Sequence, residues 1–245
     1  MARKLTILFA PLEAVGHVNA CIGLAEVLLS RGHKIVFAID QSFEGRLAPF
    51  GFTEEILITD ESGRKKPGET MAKELLNSGR ISNVSSTESM KTAQKSAAGD
   101  MFAKKRVIEP MLRAIVAKHN PDVSVVSEFS PSPTLIYSNK PWVFVYSQNP
   151  LMAMPDDNLP PGATGFAVNG DRSEWKALKE KMQQMMINNR NVKYNEFIKE
   201  QGFDQRVDKA LPDSPYLNIY GFPEELDYTD IRPIPEKWLR VDTFM

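Results

Sequence analysis

Residues 5–39 read LTILFAPLEAVGHVNACIGLAEVLLSRGHKIVFAI, and this stretch decides the fold. Residues 5–9 form an apolar run with β-branched members that ends before a proline, which predicts a strand buried on both faces. A helix with apolar residues at helical spacing follows, with Asn19 as its predicted N-cap and Gly32 just after its last turn. Residues 34–39 are a second apolar strand. A strand, a helix and a strand in this order imply two parallel strands joined by a right-handed crossover, and so an α/β domain.

The remaining chain continues this alternation. Helical patterns cover much of 70–118, where Pro110 predicts a break or kink, and 173–201. Further strands are predicted at residues 52–58, 123–126, 142–146 and 216–220. We therefore expect a Rossmann-like parallel sheet with helices on both faces. Residues 231–245 show no periodicity and resemble a linker.

The composition excludes several classes of protein. With 245 residues and a net charge of −1, the chain has no basic field that would favour nucleic acid or acidic lipid. No stretch approaches the ~20 apolar residues of a membrane span, and the apolar run at the start stops at Pro11, too early for a signal peptide. The single cysteine, Cys21, excludes an intramolecular disulfide. We therefore expect neither a nucleic-acid partner nor a membrane span.

His17 is the first candidate for chemistry. It follows the first strand, and open α/β sheets bind ligands at the carboxyl ends of their strands. A neutral imidazole at that edge can accept a proton from a substrate hydroxyl, and the nearby helix N-terminus disfavours the imidazolium. The alternative is that His17 only hydrogen-bonds the backbone of its own loop.

Other polar residues carry weaker signals. Ser127 and Glu128 come at the end of the strand predicted at residues 123–126. Their side chains are therefore expected near the same cleft, unless they only form a solvated strand end. His33 and His119 follow helices and are expected to serve as helix-terminal or packing residues. The loop after the first strand lacks both GxGxxG and GxxxxGK[ST], and the histidines and cysteine show no ligand spacing. The sequence therefore predicts no nucleotide-binding glycine loop and no metal site.

Four stretches together resemble the UDP-glycosyltransferases, in the expected order. They are GHVNACIGLAEVLLSRGHKIVF (16–37), HNPDVSVVSEF (119–129), NKPWVFVYSQNP (139–150) and YLNIYGFPEELDY (216–228), and their style is closest to arthropod members. The resemblance implies one half of a two-domain GT-B glycosyltransferase: an acceptor-binding domain over 1–230 and the start of an interdomain linker over 231–245. The donor-binding half and its His-Cys-Gly-Trp signature are absent from these residues.

The resemblance also implies residue roles. His17 matches the general base of an inverting transfer, and the aspartate that orients this base in the family falls at Ser127, with Glu128 one residue later as a tentative orienter. The implied co-substrate is a UDP-sugar, with UDP-glucose preferred, bound through the missing half; this half binds no cofactor. The implied acceptor is a small lipophilic compound with a hydroxyl, such as a phenol, in a cytoplasmic detoxification reaction. The residues expected to touch the acceptor are Leu12, Gly16, Phe129, Ser147 and Met152.

Two other readings remain open. The lost carboxylate at Ser127 would also suit a non-catalytic protein of this ancestry that binds or sequesters small molecules. A third possibility is an α/β domain without retained activity. Even under the transferase reading, this half alone is expected to be inactive.

Overall fold

The computed structural model describes residues 3–59, 66–77, 102–162, 164–209, 211 and 213–244. Within these residues seven strands form one sheet in the order β3-β2-β1-β4-β5-β6-β7, and every neighbouring pair is parallel. This arrangement confirms the predicted Rossmann-like fold class. The strands are β1 (Thr6–Pro11), β2 (Lys34–Asp40), β3 (Thr53–Leu57), β4 (Val123–Ser127), β5 (Trp142–Tyr146), β6 (Leu217–Gly221) and β7 (Trp238–Val241).

In the part of the chain that the structure describes, α-helices lie in four of the six connections between strands, while β2–β3 and β6–β7 are joined by loops with short 3₁₀ turns. The α-helices are α1 (Val15–Ser30), α2 (Glu69–Asn77), α3 (Ala103–His119), α4 (Pro133–Ile136), α5 (Trp175–Met186) and α6 (Val192–Glu200). A π turn, Ile187–Asn191, joins α5 to α6, so the long helix predicted for 173–201 forms as one run with an altered turn inside it. Part of the helical pattern predicted for 70–118 lies outside the described residues.

Two helical predictions need correction. Helix α1 begins at Val15, not after Asn19, because Ala14 takes the extended N-cap conformation and Val18 is buried against the sheet. His17 therefore lies in the first turn of the helix and not in a loop before it. Helix α3 is not broken at Pro110, since Leu112 and Ile115 beyond it are buried in the core and keep the chain helical.

The two faces of the sheet carry separate cores, because side chains alternate along a strand. In β1, Ile7 and Phe9 pack with the buried side of α1, whereas Leu8 packs with α3 on the opposite face. The same alternation in β4 sends Val125 to the α1 face and Val126 to the α3 face. This alternation decides where the residues at the end of β4 point.

The segment 231–245, expected to begin a linker, returns to the sheet. It supplies β7, which pairs with β6 in register Asn218↔Trp238 to Gly221↔Val241. The Phe244 ring then covers Gly221, where any larger side chain would collide with it. Residues 238–241 are thus part of the sheet, while the position of the domain boundary stays a prediction.

Candidate active site

The carboxyl ends of β1 and β4 bring the candidate residues together. These neighbouring strands pair up to Pro11↔Ser127, and the Leu12 amide donates a hydrogen bond of 3.0 Å to the Ser127 carbonyl. Helix α1 starts three residues after Leu12, so its first turn stands directly over this pair of strand ends. The site is therefore held by two adjacent interior strands of the sheet, β1 and β4.

His17 and Ser127 form a buried pair. His17 Nδ1 lies 2.9 Å from Ser127 Oγ; His17 is 6% exposed and Ser127 is fully buried. Burial lowers the pKa of His17 below its ordinary 6.5, and hydrogen bonding to the Ser127 backbone offsets only part of this. The imidazole is therefore neutral at pH 7, which is the state that can accept a proton.

Phe129 packs against the imidazole. Its ring lies 5.7 Å from that of His17, centroid to centroid, and the two planes are almost perpendicular at 88°. Edge-to-face pairs of this kind hold each other's orientation as well as burying area. Phe129 is only partly buried, so its ring presents an accessible apolar surface beside His17.

Glu128 points to the other side of the sheet. Side chains alternate between the two faces of the sheet along β4. Ser127 therefore shares the α1 face with Val125, and Glu128, one residue later, turns towards α3. There the Glu128 carboxylate forms an ion pair with Lys105, near the start of α3. The structure thus brings Ser127, and not Glu128, into contact with His17.

The predicted acceptor residues fall into two groups along the same edge. Leu12, Gly16 and Phe129 surround His17 at the ends of β1 and β4; Gly16 is exposed, and a Cβ built on it meets no atom within 4 Å. Ser147 and Met152 follow β5, the strand beyond β4, and Met152 is 37% exposed. Whether either group touches an acceptor stays a prediction.

A second ion-pair group secures the loop before α1. Lys104 Nζ pairs with the Glu13 carboxylate and lies 3.2 Å from Asp40 Oδ2 at the end of β2. Although burial alone would raise it, hydrogen bonds from Ser42 and the Lys104 charge hold the pKa of Asp40 below its usual value. Helix α3 therefore holds the loop that leads to His17 and, through Lys105, the residue after Ser127.

The other two histidines lie away from this edge. His33 Nδ1 accepts a hydrogen bond of 3.2 Å from the Leu5 amide, and His119 Nε2 lies 2.6 Å from Glu55 Oε1. Both have structural partners. Within the described ranges, no group of three or more His, Cys, Asp or Glu side chains lies together as metal ligands would, and no helix is both long and apolar enough to cross a bilayer.

Four residues that hold the chain after β4 were not identified from the sequence. Lys105 and Glu109 lie four residues apart on α3, and Arg190 and Tyr194 lie four residues apart on the π turn and α6. All four contact residues 128–134. The i, i+4 spacing of polar residues inside helical patterns was the available signal, but it is equally common on solvated helix faces.

Comparison with solved structures places this geometry in a known fold. The chain superposes along 99% of its length on 52% of CalG4, the calicheamicin glycosyltransferase, at 18% identity and a TM-score of 0.59. It superposes along 98% of its length on 50% of the spinosyn rhamnosyltransferase SpnG, at 14% identity and a TM-score of 0.56. The chain has the fold of one half of a GT-B glycosyltransferase. The spinosyn forosaminyltransferase SpnP is similar over 51% of its own chain, at 13% identity and a TM-score of 0.53.

This GT-B-like half spans about half the length of each solved structure it matches. At sequence identities of 13–18%, the similarity shows a shared fold and nothing more specific. No protein-family model matches the chain, and no curated protein matches its sequence. The nearer resemblance to arthropod UDP-glycosyltransferases stays a prediction.

Proposed function

We propose that this chain is the acceptor-binding half of a sugar-nucleotide-dependent glycosyltransferase, with His17 as the general base. One observation carries the proposal: a buried, neutral imidazole stands at the carboxyl ends of the adjacent interior strands β1 and β4, with one ring nitrogen 2.9 Å from Ser127 Oγ. The fold shared with the solved glycosyltransferases supports the same reaction class.

Ser127 would set the tautomer of the base. In the proposed arrangement Nδ1 of His17 donates its proton to Ser127 Oγ, 2.9 Å away, since a serine hydroxyl can accept a hydrogen bond as well as donate one. Nδ1, which faces Ser127, is then the N–H, and Nε2 keeps its lone pair for the acceptor. The low pKa keeps that lone pair available at neutral pH.

The proposed transfer is a single displacement. Nε2 of His17 takes the proton of an acceptor hydroxyl while the hydroxyl oxygen forms a bond to the anomeric carbon of the sugar. The bond from that carbon to the nucleotide phosphate breaks, and the nucleoside diphosphate leaves with the electron pair. Attack from the opposite face inverts the anomeric centre. We propose a UDP-sugar as the donor, with UDP-glucose tested first.

The acceptor is proposed to be a small lipophilic compound that carries a hydroxyl. The partly buried Phe129 ring beside His17 and the exposed Met152 at the end of β5 offer apolar contact. The open space at Gly16 admits a ring or chain close to the first turn of α1. Phenols satisfy both requirements, because they combine a flat apolar body with one acidic hydroxyl.

The test is donor turnover by the native protein. The protein that carries this chain is isolated from its source with an antibody to residues 1–245, and its mass is recorded first. UDP release is then measured with UDP-glucose and a panel of phenols. We expect release that depends on both the acceptor and His17; release that is the same without acceptor, or unchanged by His17→Ala, contradicts the proposal.

A second candidate function has its own supporting observation. Ser127 cannot stabilise an imidazolium as a carboxylate would, so the site also suits a protein that binds lipophilic phenols without transforming them. The same panel separates the two functions. Phenol binding by fluorescence or calorimetry, together with no UDP release by the native protein when donor is present, would favour a sequestering role.

A further inference from the structure

The chain between β4 and α4, residues 128–132, carries Phe129 to its place beside His17. We call it the β4 loop. Four side chains from two helical segments hold it, and we call them the clamp: Lys105, Glu109, Arg190 and Tyr194. The clamp contacts nearly every residue of the loop, whereas a surface loop of this length usually keeps much of its backbone in water.

Helix α3 supplies one half of the clamp. Lys105 pairs with the Glu128 carboxylate. One turn later lies Glu109, which is 1% exposed. Its carboxylate accepts a hydrogen bond of 2.6 Å from Ser132 Oγ and one of 2.8 Å from the Thr134 amide at the start of α4. These contacts fix the two ends of the β4 loop.

The π turn and α6 supply the other half. Arg190 Nη2 donates a hydrogen bond of 2.9 Å to the Phe129 carbonyl, and Tyr194 Oη donates one to the Pro131 carbonyl. Residues four apart on a helix are about 6 Å apart along its axis, and two residues of chain span at most about 7 Å. One helical face can therefore hold both carbonyls, and it fixes the middle of the loop.

Arg190 is the member of the clamp that holds the residue in contact with the imidazole. It is 9% exposed, and burial lowers its pKa to about 10, so its charge persists at neutral pH. Its position in a π turn fits this role, because such turns change the direction of side chains within a helix and occur often at functional sites.

We propose that Arg190 is a positioning residue for the candidate base: by holding the Phe129 carbonyl it keeps the Phe129 ring perpendicular to the His17 imidazole. Loss of this hydrogen bond frees the Phe129 backbone, although Tyr194 still holds Pro131, and the ring then leaves its perpendicular position. The importance of Arg190 for catalysis rests on the proposed function, whereas its effect on the ring pair does not.

The test is NMR of the 245-residue chain with labelled histidine rings. An aromatic ring packed perpendicular to His17 displaces the His17 ring-proton signals, and Phe129→Leu defines the displacement that is lost without it. We expect Arg190→Met to move the His17 signals in the same direction as Phe129→Leu does, by at least half of that displacement. Arg190→Lys keeps the charge but not the planar guanidinium, so it should move the signals by less than Arg190→Met.

Three internal comparisons make the result specific. His33 and His119 report on the rest of the fold and should keep their signals. Arg113→Met is the matched control, because Arg113 on α3 contacts the Gln201 carbonyl at 2.7 Å and Thr134 Oγ1 in α4 at 3.3 Å, but none of residues 128–132 by a hydrogen bond. It should leave His17 unchanged.

Wild-type His17 signals in a folded Arg190→Met chain overturn the proposal. So does an equal movement of all three histidines, which would show a general loss of packing. If Arg190→Met does not fold, Arg190→Lys decides, and unchanged His17 signals in it overturn the proposal. If the native protein releases no UDP but the His17 signals move as expected, only the proposed function is contradicted and the role of Arg190 stands. Where transfer is measured, Arg190→Lys should lower kcat more than it changes the acceptor KM.

Discussion

Two histidines each place a ring nitrogen close to an oxygen atom of another element, at opposite edges of the sheet. His119 ends α3 at the amino edge, and its Nε2 lies 2.6 Å from Glu55 Oε1 in β3. His17 stands at the carboxyl edge, and its Nδ1 lies 2.9 Å from Ser127 Oγ. The pair with the carboxylate is the one that resembles a catalytic dyad, yet it is far from the edge where parallel sheets bind ligands.

The difference between the partners explains the difference in role. Although desolvation alone would raise it, hydrogen bonds from Lys118 and His119 hold the pKa of Glu55 below its ordinary value, so this carboxylate stays charged and binds cations. A serine hydroxyl carries no charge, so burial dominates at His17 and keeps the ring neutral. A charged carboxylate holds the side chains around it, whereas an uncharged hydroxyl leaves a neutral imidazole able to take up a proton briefly.

Removal of each histidine in turn is the strongest way to break this comparison. His17→Ala should lower the rate of transfer by about 10²-fold or more, the usual effect of losing a general base. His119→Ala should leave the rate within about twofold, since its side chain faces Glu55 at the other edge. UDP release under saturating donor measures both. Equal losses in the two variants would remove His17 from the mechanism.

The same two substitutions should rank differently in stability. His119→Ala removes a short hydrogen bond to a partly buried carboxylate and should lower the free energy of unfolding by about 1 kcal/mol. Urea denaturation of the 245-residue chain measures this. His119→Gln is the control, because its amide can still donate to Glu55 and should recover part of the loss. No loss in His119→Ala would mean that Lys118 alone satisfies Glu55.

Exchange of the partner sharpens the comparison. Ser127→Ala removes one hydrogen bond to the base and should lower transfer by about fivefold, the equivalent of about 1 kcal/mol. Ser127→Asp places a carboxylate beside His17 and should raise the pKa of His17, because a nearby negative charge favours the imidazolium. NMR titration of the ring measures the change. An unchanged His17 titration in Ser127→Asp would show that residue 127 does not control the base.

The smallest expected effect is on the pH profile. Protonation of His17 removes the base, and burial lowers the pKa of His17, so the acid limb of kcat/KM should lie below pH 6.5. In Ser127→Asp the limb should move to higher pH, and in Glu128→Gln it should stay, because Glu128 pairs with Lys105 on the other face. A limb that moves in Glu128→Gln but not in Ser127→Asp would reverse the assignment of the two residues.

The sequence predicts the sheet well because its strands are apolar runs buried on both faces. β5 was predicted over residues 142–146, the range the structure shows, and β1, β2 and β4 differ only at their ends. β7 was missed because a four-residue edge strand, Trp238–Val241, has too little length for a pattern. The start of α1 was misplaced because no side chain caps it, so Asn19 gave the stronger local signal.

The candidate site was predictable at His17 and less so around it. Position after a buried strand identifies the edge of the sheet, and this reasoning also places Ser127 and Glu128 there. The choice between Ser127 and Glu128 depends on which face each side chain takes, which a strand end does not reveal from sequence. The clamp depends on contacts between segments some 60 residues apart, such as Arg190 with Phe129, and no local pattern encodes them.

The all-parallel sheet has a consequence for how the chain is made. His17 and Ser127 are separated by 110 residues, so at typical rates of synthesis of about 5–20 residues per second the histidine waits roughly 6–20 s for its partner. During that interval β1, an interior strand of the finished sheet, has β2 on one side and nothing of β4 on the other. The order in which the ribosome delivers the strands thus leaves the interior of this sheet, and the candidate base with it, incomplete until β4 has been synthesised.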